Sequence, residues 1–289
     1  MKLRNQTCLV TGASHGLGKY IATRFWEEGA SLLLVGRDAA ALDELSDRLA
    51  SPKLDGQKLS LAALDVSQPG ATTALMRQAA EKLGPITVLI NNAAVLGPIG
   101  PLWENNLADW ENAIRVNLLA PAALCAAVIP LMATVGHGKI VNLSGGGATG
   151  PRPFFSAYAS AKAGLVRLTE VLAHETRSMN IDVNCIAPGV MRTRMLAAIL
   201  SAGKACAGTE ECDRAEKCVG DPQETCQRAV ELALFLSSSE SDGISGRLIS
   251  AVWDAWESLR SHQEFLATTD IYTLRRIVPR DRGLDWGRN

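Results

Sequence analysis

Short apolar runs alternate along this chain with longer stretches in which apolar residues recur every three to four positions. Thr7–Val10, Ser31–Val35, Leu59–Leu64, Thr87–Ile90, Lys139–Leu143, Ile181–Ile186 and Arg247–Ser250 read as strands. Helical periodicity marks Leu17–Glu28, Ala39–Ala50, Ala71–Leu83, Leu107 to about Thr134 with one break, a helix bearing Tyr158, and Pro222–Leu236. The strands are continuously apolar, not alternating, which places them in a sheet covered on both faces. Strands that alternate with helices pair in parallel. The pattern predicts a three-layer, doubly wound α/β domain, with no linker that would divide it.

At 289 residues and 47% hydrophobic, the chain can bury a sizeable core. Twenty-nine basic residues stand against 30 acidic ones, and no basic tract interleaved with aromatics appears in the first 250 residues, so nucleic acid is not an expected partner. The opening MKLRNQTCLVTG passes from charge straight into a strand, without the apolar core of a signal peptide, and a cytoplasmic location is expected. Leu118–Val135 holds 18 uncharged residues, the length of a membrane span, but Pro121 and Pro130 interrupt it and flanking anchors are absent. A helix buried between sheet and partner subunit is the expectation, with no membrane. Seven cysteines include no C-x-x-C pair, and the six-residue spacing of Cys206, Cys212 and Cys218 matches no common zinc pattern. Reduced thiols and no metal are expected.

Two stretches carry chemistry. After the first strand, Gly12, Gly16 and Gly18 stand where the chain must turn tightly, admit a pyrophosphate to the backbone and open a helix whose N-terminus attracts anions. Further on, Ser144 ends a strand, a glycine-rich loop follows, and Tyr158 and Lys162 sit one helical turn apart. An ammonium beside a phenol favours its ionised form, which suits proton exchange at a carbonyl.

The segments Thr11-Gly12-Ala13-Ser14-His15-Gly16-Leu17-Gly18, Asn91-Asn92-Ala93-Ala94, Asn117, Ser144, Tyr158-x-x-x-Lys162 and Pro188-Gly189 together resemble the short-chain dehydrogenase/reductases, in their compact branch. The resemblance runs from about residue 5 to 251 and implies a Rossmann-type catalytic domain that uses NAD or NADP to interconvert a carbonyl and an alcohol. It implies that Tyr158 is the general acid/base, that Lys162 lowers its pKa and holds the nicotinamide ribose, that Ser144 orients the substrate oxygen, and that Asn117 supports a proton-conducting water. Ser14, His15 and Leu17 in the turn, Asp65 and Val66 at the adenine, and Asn92, Ala93, Pro188, Gly189, Val190 and Thr193 along the dinucleotide complete the implied cofactor site.

Cofactor choice turns on the end of the second strand, SLLLVGRD. Gly36 stands where an acidic side chain would hold a ribose hydroxyl, and Arg37 follows with a guanidinium suited to a phosphate. His15 adds a basic group, and Asp38 is placed to cap the next helix. NADP is the expected cofactor, with NAD as the alternative.

Residues 190–221 are expected to fold as a lid over the substrate, and 252–289 form an extension carrying Trp253, Trp256, Leu266, Ile271, Tyr272 and Leu274. Such residues are costly to expose, so the extension should dock on the body or on a partner subunit, with Arg275, Arg276 and Arg280 meeting an anionic substrate group or a neighbour's carboxylates. A homodimer or homotetramer is expected. The competing reading is a catalytically silent NAD(P)-binding sensor or scaffold, which would have no need of the phenol.

Overall fold

The computed structural model describes residues 1–287; the last two residues of the extension, 288 and 289, lie outside the described residues. Seven strands, β1 (Thr7–Thr11), β2 (Ser31–Gly36), β3 (Leu59–Ala63), β4 (Val88–Asn91), β5 (Gly138–Leu143), β6 (Ile181–Ala187) and β7 (Leu248–Ser250), form one parallel sheet in the order β3-β2-β1-β4-β5-β6-β7. The predicted runs and the strands differ at their ends by no more than one residue. The order reverses between β1 and β4, and there the carboxyl ends of the strands leave a crevice for a ligand.

Helices α1 (Gly16–Glu27), α2 (Ala39–Arg48) and α9 (Pro222–Ser237) cover one face, where Ile21, Phe25, Leu45, Val230 and Leu234 share a core with β1 and β2. The opposite core joins Leu75 of α3 (Ala71–Lys82) to Leu124, Val128 and Met132 of α5 (Ala120–Val135). The helix predicted from Leu107 is continuous through α4 (Leu107–Ile114) into α5; its break is a π-helical turn, Arg115–Leu119, that contains Asn117. Such turns collect at functional sites. The long apolar segment is thus a sheet-covering helix, with Leu119, Leu131 and Val135 on its exposed side. The seven thiols are unpaired.

After α6 (Ser156–Glu175) and β6, residues 190–221, the expected lid, carry α7 (Arg194–Ala207) and α8 (Thr209–Glu216). Its periodicity is interrupted by Gly203 and Gly208, both at positive φ, and no element is legible there from pattern alone.

The extension lies on the body. Trp256, Leu259 and Leu266 enter the core beside Phe235, and the backbone N–H of Leu248 donates to the Tyr272 carbonyl at 2.8 Å, so the chain covers the outer edge of β7. The buried Arg247 guanidinium donates to the carbonyls of Leu266, Thr269 and Ile271, a clamp around α10 (Gln263–Thr268) and the turn after it. Trp253 and Ile271 do not dock on the body of the same chain: the first stands 85% exposed and the second 40%. Arg275 pairs inside the extension with Asp270 and Asp281 at 2.7 Å each.

Candidate active site

At one end of the crevice the backbone does most of the shaping. Thr11 Oγ1 accepts the N–H groups of Asn92 and Ala93 at 2.9 and 3.0 Å, which stitches the end of β1 to the end of β4. Asn92 Nδ2 donates to the Thr11 and Gly12 carbonyls at 2.9 and 3.3 Å and holds the turn from the other side. Gly12 adopts φ +66°, and a Cβ on Gly18 would lie 2.2 Å from the Gly12 oxygen, so neither position admits a side chain. The helix that follows starts without a side-chain cap: His15 occupies the cap position and makes no such bond. Its first N–H groups remain free for an anion. These features fit a dinucleotide pyrophosphate.

The same end carries the ribose-side residues. A Cβ on Gly36 would lie 2.9 Å from Ser14 Oγ, so an acidic side chain at 36 would have to displace Ser14. Asp38 caps α2 through Ala41 N–H at 3.1 Å and lies 3.4 Å from His15 Nε2. Arg37 is 69% exposed, with Nη1 3.9 Å from Asp65. Burial raises the proton affinity of Asp65, but hydrogen bonds from Ser67 and the Arg37 charge outweigh it and hold the carboxyl below its usual range. Burial and the nearby Arg194 hold His15 below its ordinary value. His15 is thus a weaker base here than a free imidazole, although Asp38 opposes the shift.

One cleft of about 630 Å³ joins this end to Ser144, Tyr158 and Lys162. Gly12, Ser14, His15, Gly16 and Leu17 line it, as do Arg37, Asp65, Val66, Asn92, Ala93, Pro188 and Thr193. Gly18, Asn117, Gly189 and Val190 do not. Gly18 packs beneath the turn, Gly189 backs onto Val252 and Val190 is largely exposed. Asn117 is fully buried, and its amide accepts from Val95 N–H at 3.0 Å and donates to the Val95 carbonyl at 2.7 Å. Each end of that amide makes one bond to the loop that forms the cleft wall, which fixes it.

At the catalytic end, Ser144 Oγ is buried without a hydrogen-bond partner, although Cys185 lies behind it. Lys162 is 1% exposed and donates from Nζ to the Leu143 carbonyl at 2.7 Å. Burial pushes its pKa down to about 8. Burial pushes Tyr158 up to about 12, and the charge opposing that rise belongs to Arg152, where the spacing of Tyr158 and Lys162 had pointed to the lysine.

Three residues escape sequence reasoning. Arg194 opens α7 and lines the cleft beside Thr193, which packs on Gly16. A cation in the first turn of a helix opposes the helix dipole, and that signal was available in the sequence. Arg152 and Glu211 form a buried ion pair between the loop after β5 and α8. Nothing in the spacing of two residues 59 apart announces it.

A family model for short chain dehydrogenases matches residues 6–203. The chain is 33% identical over 254 residues to the 3-oxoacyl-[acyl-carrier-protein] reductase of Chlamydia muridarum, covering 86% of this chain and 96% of that one. It is 36% identical over 202 residues to the (2S)-[(R)-hydroxy(phenyl)methyl]succinyl-CoA dehydrogenase subunit BbsD of Thauera aromatica, covering 68% and 77%. Among solved structures, a Beutenbergia cavernae protein assigned as an NAD(P)-dependent gluconate 5-dehydrogenase, with NADP bound at low occupancy, aligns with TM-score 0.74 and 27% identity over 86% of this chain and 96% of that one. The glycine turn, the parallel sheet and these likenesses agree: the chain belongs to the short-chain dehydrogenase/reductase family of oxidoreductases.

Proposed function

We propose that the protein is an NADP(H)-dependent oxidoreductase that interconverts a carbonyl and a secondary alcohol, with Tyr158 as general acid/base. The observation that carries this reading is the single cleft in which an uncapped helix N-terminus and its glycine turn meet Ser144, Tyr158 and Lys162. When bound, the nicotinamide supplies or accepts the hydride. The orphaned Ser144 hydroxyl donates to the substrate oxygen and holds it beside the phenol. In reduction Tyr158 gives its proton to the forming alkoxide; in oxidation the phenolate takes it back. Lys162, with two of its three N–H donors uncommitted by the Leu143 bond, holds the nicotinamide ribose. Asn117 fixes the cleft wall through Val95.

NADP is favoured over NAD by the absence of an acid at Gly36 and the exposed guanidinium of Arg37; Arg194 lines the same cleft and would serve either cofactor. Beyond Tyr158 the cleft is walled by Leu96, Met191, Met195 and Ala198, which supports a substrate with an apolar body. The exposed Leu119 of the π-helical turn, Leu131 and Val135 of α5 and Val171 of α6 support a homo-oligomer built across that face. The test is absorbance change of NADPH and NADH against a panel of 3-oxoacyl thioesters, hydrophobic ketones and sugar acids, with product identification. Silence across the panel in both directions would return the chain to a sensor or scaffold role.

A further inference from the structure

Two cations flank the ring of Tyr158. Lys162 Nζ lies 5.6 Å from the ring centroid and Arg152 Cζ 5.4 Å, so distance alone does not rank them. Permanence does. Burial brings the lysine down to about 8, whereas a guanidinium keeps its proton throughout the working range. At alkaline pH, Arg152 is the charge that stays beside the ring.

The surroundings of Arg152 are built, not incidental. Its guanidinium carbon sits 4.1 Å over the Phe155 ring, and its side chain runs beneath Gly146, where a Cβ would lie 3.6 Å from Arg152 Cδ. Its carboxylate partner, Glu211, comes from lid helix α8, and the two side chains are only 12% and 15% exposed. Arg152 Nε has no partner. Glu211 also meets Arg214 of its own helix at 3.2 Å. The other groups on this side are Ser144, just after β5, with Cys185 of β6 behind it, whose thiol burial pushes up to about 12, and the buried Cys212 of α8, which shares a core with Tyr158.

We propose that Arg152, held by Glu211 of α8, is a positioning residue that sets how readily Tyr158 releases its proton and links that readiness to docking of the lid. The proposal rests on Tyr158 being the acid/base. With α8 docked, Glu211 offsets the guanidinium charge and the phenol keeps its proton, ready to donate. In that donation the Tyr158 O–H bond breaks, the proton passes to the alkoxide oxygen and the electron pair stays behind as phenolate. With α8 lifted, the full charge of Arg152 favours the phenolate, which takes a proton from an alcohol.

Ionisation of Tyr158 can be followed by carbon NMR of the full chain labelled at the tyrosine ring, with the signal assigned against Tyr158→Phe. Arg152→Met should move the ionisation up by about one pH unit, the scale for a neighbouring charge. Arg152→Lys should restore it, and Glu211→Gln should move it down. Opposite signs are the signature, because a purely structural role would move both variants the same way. Movement in the same direction, or none in Arg152→Met, overturns the proposal. Should Arg152→Met fail to fold, Glu211→Gln decides: a downward shift supports it, and no shift or an upward one sinks it. The ascending limb of the pH profile for alcohol oxidation should follow the same signs with the KM for cofactor unchanged. Because the NMR readout needs neither substrate nor cofactor, absence of turnover in every variant would count against the oxidoreductase reading alone.

Discussion

The two ends of the cleft are made differently. The nucleotide end is assembled from Thr11 to Arg37 with Asn92 and Ala93, and main-chain groups supply most of its contacts. The catalytic end draws on side chains from β5, α6, α8 and the extension, where Leu274 packs beside Ala148, Val166 and Cys185, directly behind the Ser144 loop. Backbone turns are dictated locally, so a few glycines specify them. Side-chain constellations are dictated by packing between segments far apart in sequence. Disturbance at the nucleotide end should therefore act on cofactor affinity, and disturbance at the catalytic end on stability and proton transfer.

The largest effect should come from cutting the chain after Ala251. That change removes Trp256, Leu259 and Leu266, each contributing about 1.5–3 kcal/mol by burial, and strips the Arg247 guanidinium of its three carbonyl acceptors. The loss approaches the whole stability of a typical domain, about 5–15 kcal/mol. The truncated chain should melt about 10 °C or more below the full one, or precipitate on expression. Calorimetry showing an unchanged melting temperature would mean that the catalytic end does not lean on the extension.

Next in size is Tyr158→Phe, which deletes one hydroxyl and leaves the glycine turn untouched. Turnover should fall by about two orders of magnitude or more, with NADPH affinity preserved in a fluorescence titration. Near-normal turnover would remove Tyr158 from the chemistry.

The difference between the two ends also explains what could be read in advance. All seven strands were legible because a parallel sheet covered on both faces demands continuous apolar runs, as in SLLLVG and GKIVNL. Gly12 and Gly18 were legible because a tight turn against Asn92 tolerates nothing larger. The lid helices were not, since Gly203 and Gly208 interrupt their periodicity. The proton balance at Tyr158 was not either: one-turn spacing correctly put Lys162 nearby but could not show that burial would weaken its charge, nor that Arg152 would arrive from a loop. Asn117 was legible as a site residue, but its side-chain pairing with Val95 across 22 residues was not.

Lys162 offers a sharper probe of the catalytic end. Its folded pKa, about 8, lies below the ordinary 10.5, so between those values the unfolded chain binds more protons and stability rises with pH. Below pH 8 the full cost of the buried charge applies, on the order of 3 kcal/mol for that displacement. Lys162→Met should therefore stabilise the cofactor-free protein at pH 7 by about 2 kcal/mol, after loss of the Leu143 hydrogen bond of about 1 kcal/mol, while abolishing turnover. Urea unfolding at pH 7 and pH 9.5 would check the sign: wild type should gain stability and the variant should not. Parallel slopes would show that the ammonium is not paying a desolvation cost.

The smallest effect belongs to the nucleotide end. Arg37 is largely exposed and 3.9 Å from Asp65, so its contact with a 2′-phosphate is partly screened and partly in competition. Arg37→Ala should weaken NADPH by about 1.5 kcal/mol, roughly tenfold, near the lower limit for a charge-assisted hydrogen bond, and leave NADH unchanged. Arg194 differs in what it can reach. Placed beside Thr193, which packs on Gly16 at the start of α1, it lies on the side of the cleft where, under the proposed function, the phosphates common to both cofactors would bind. Arg194→Ala should weaken NADPH and NADH alike. Calorimetric titration of both cofactors against both variants separates the two cations. If Arg37→Ala weakens NADH as much as NADPH, its role is to shape the adenosine pocket through Asp65 and the preference for NADP has another source.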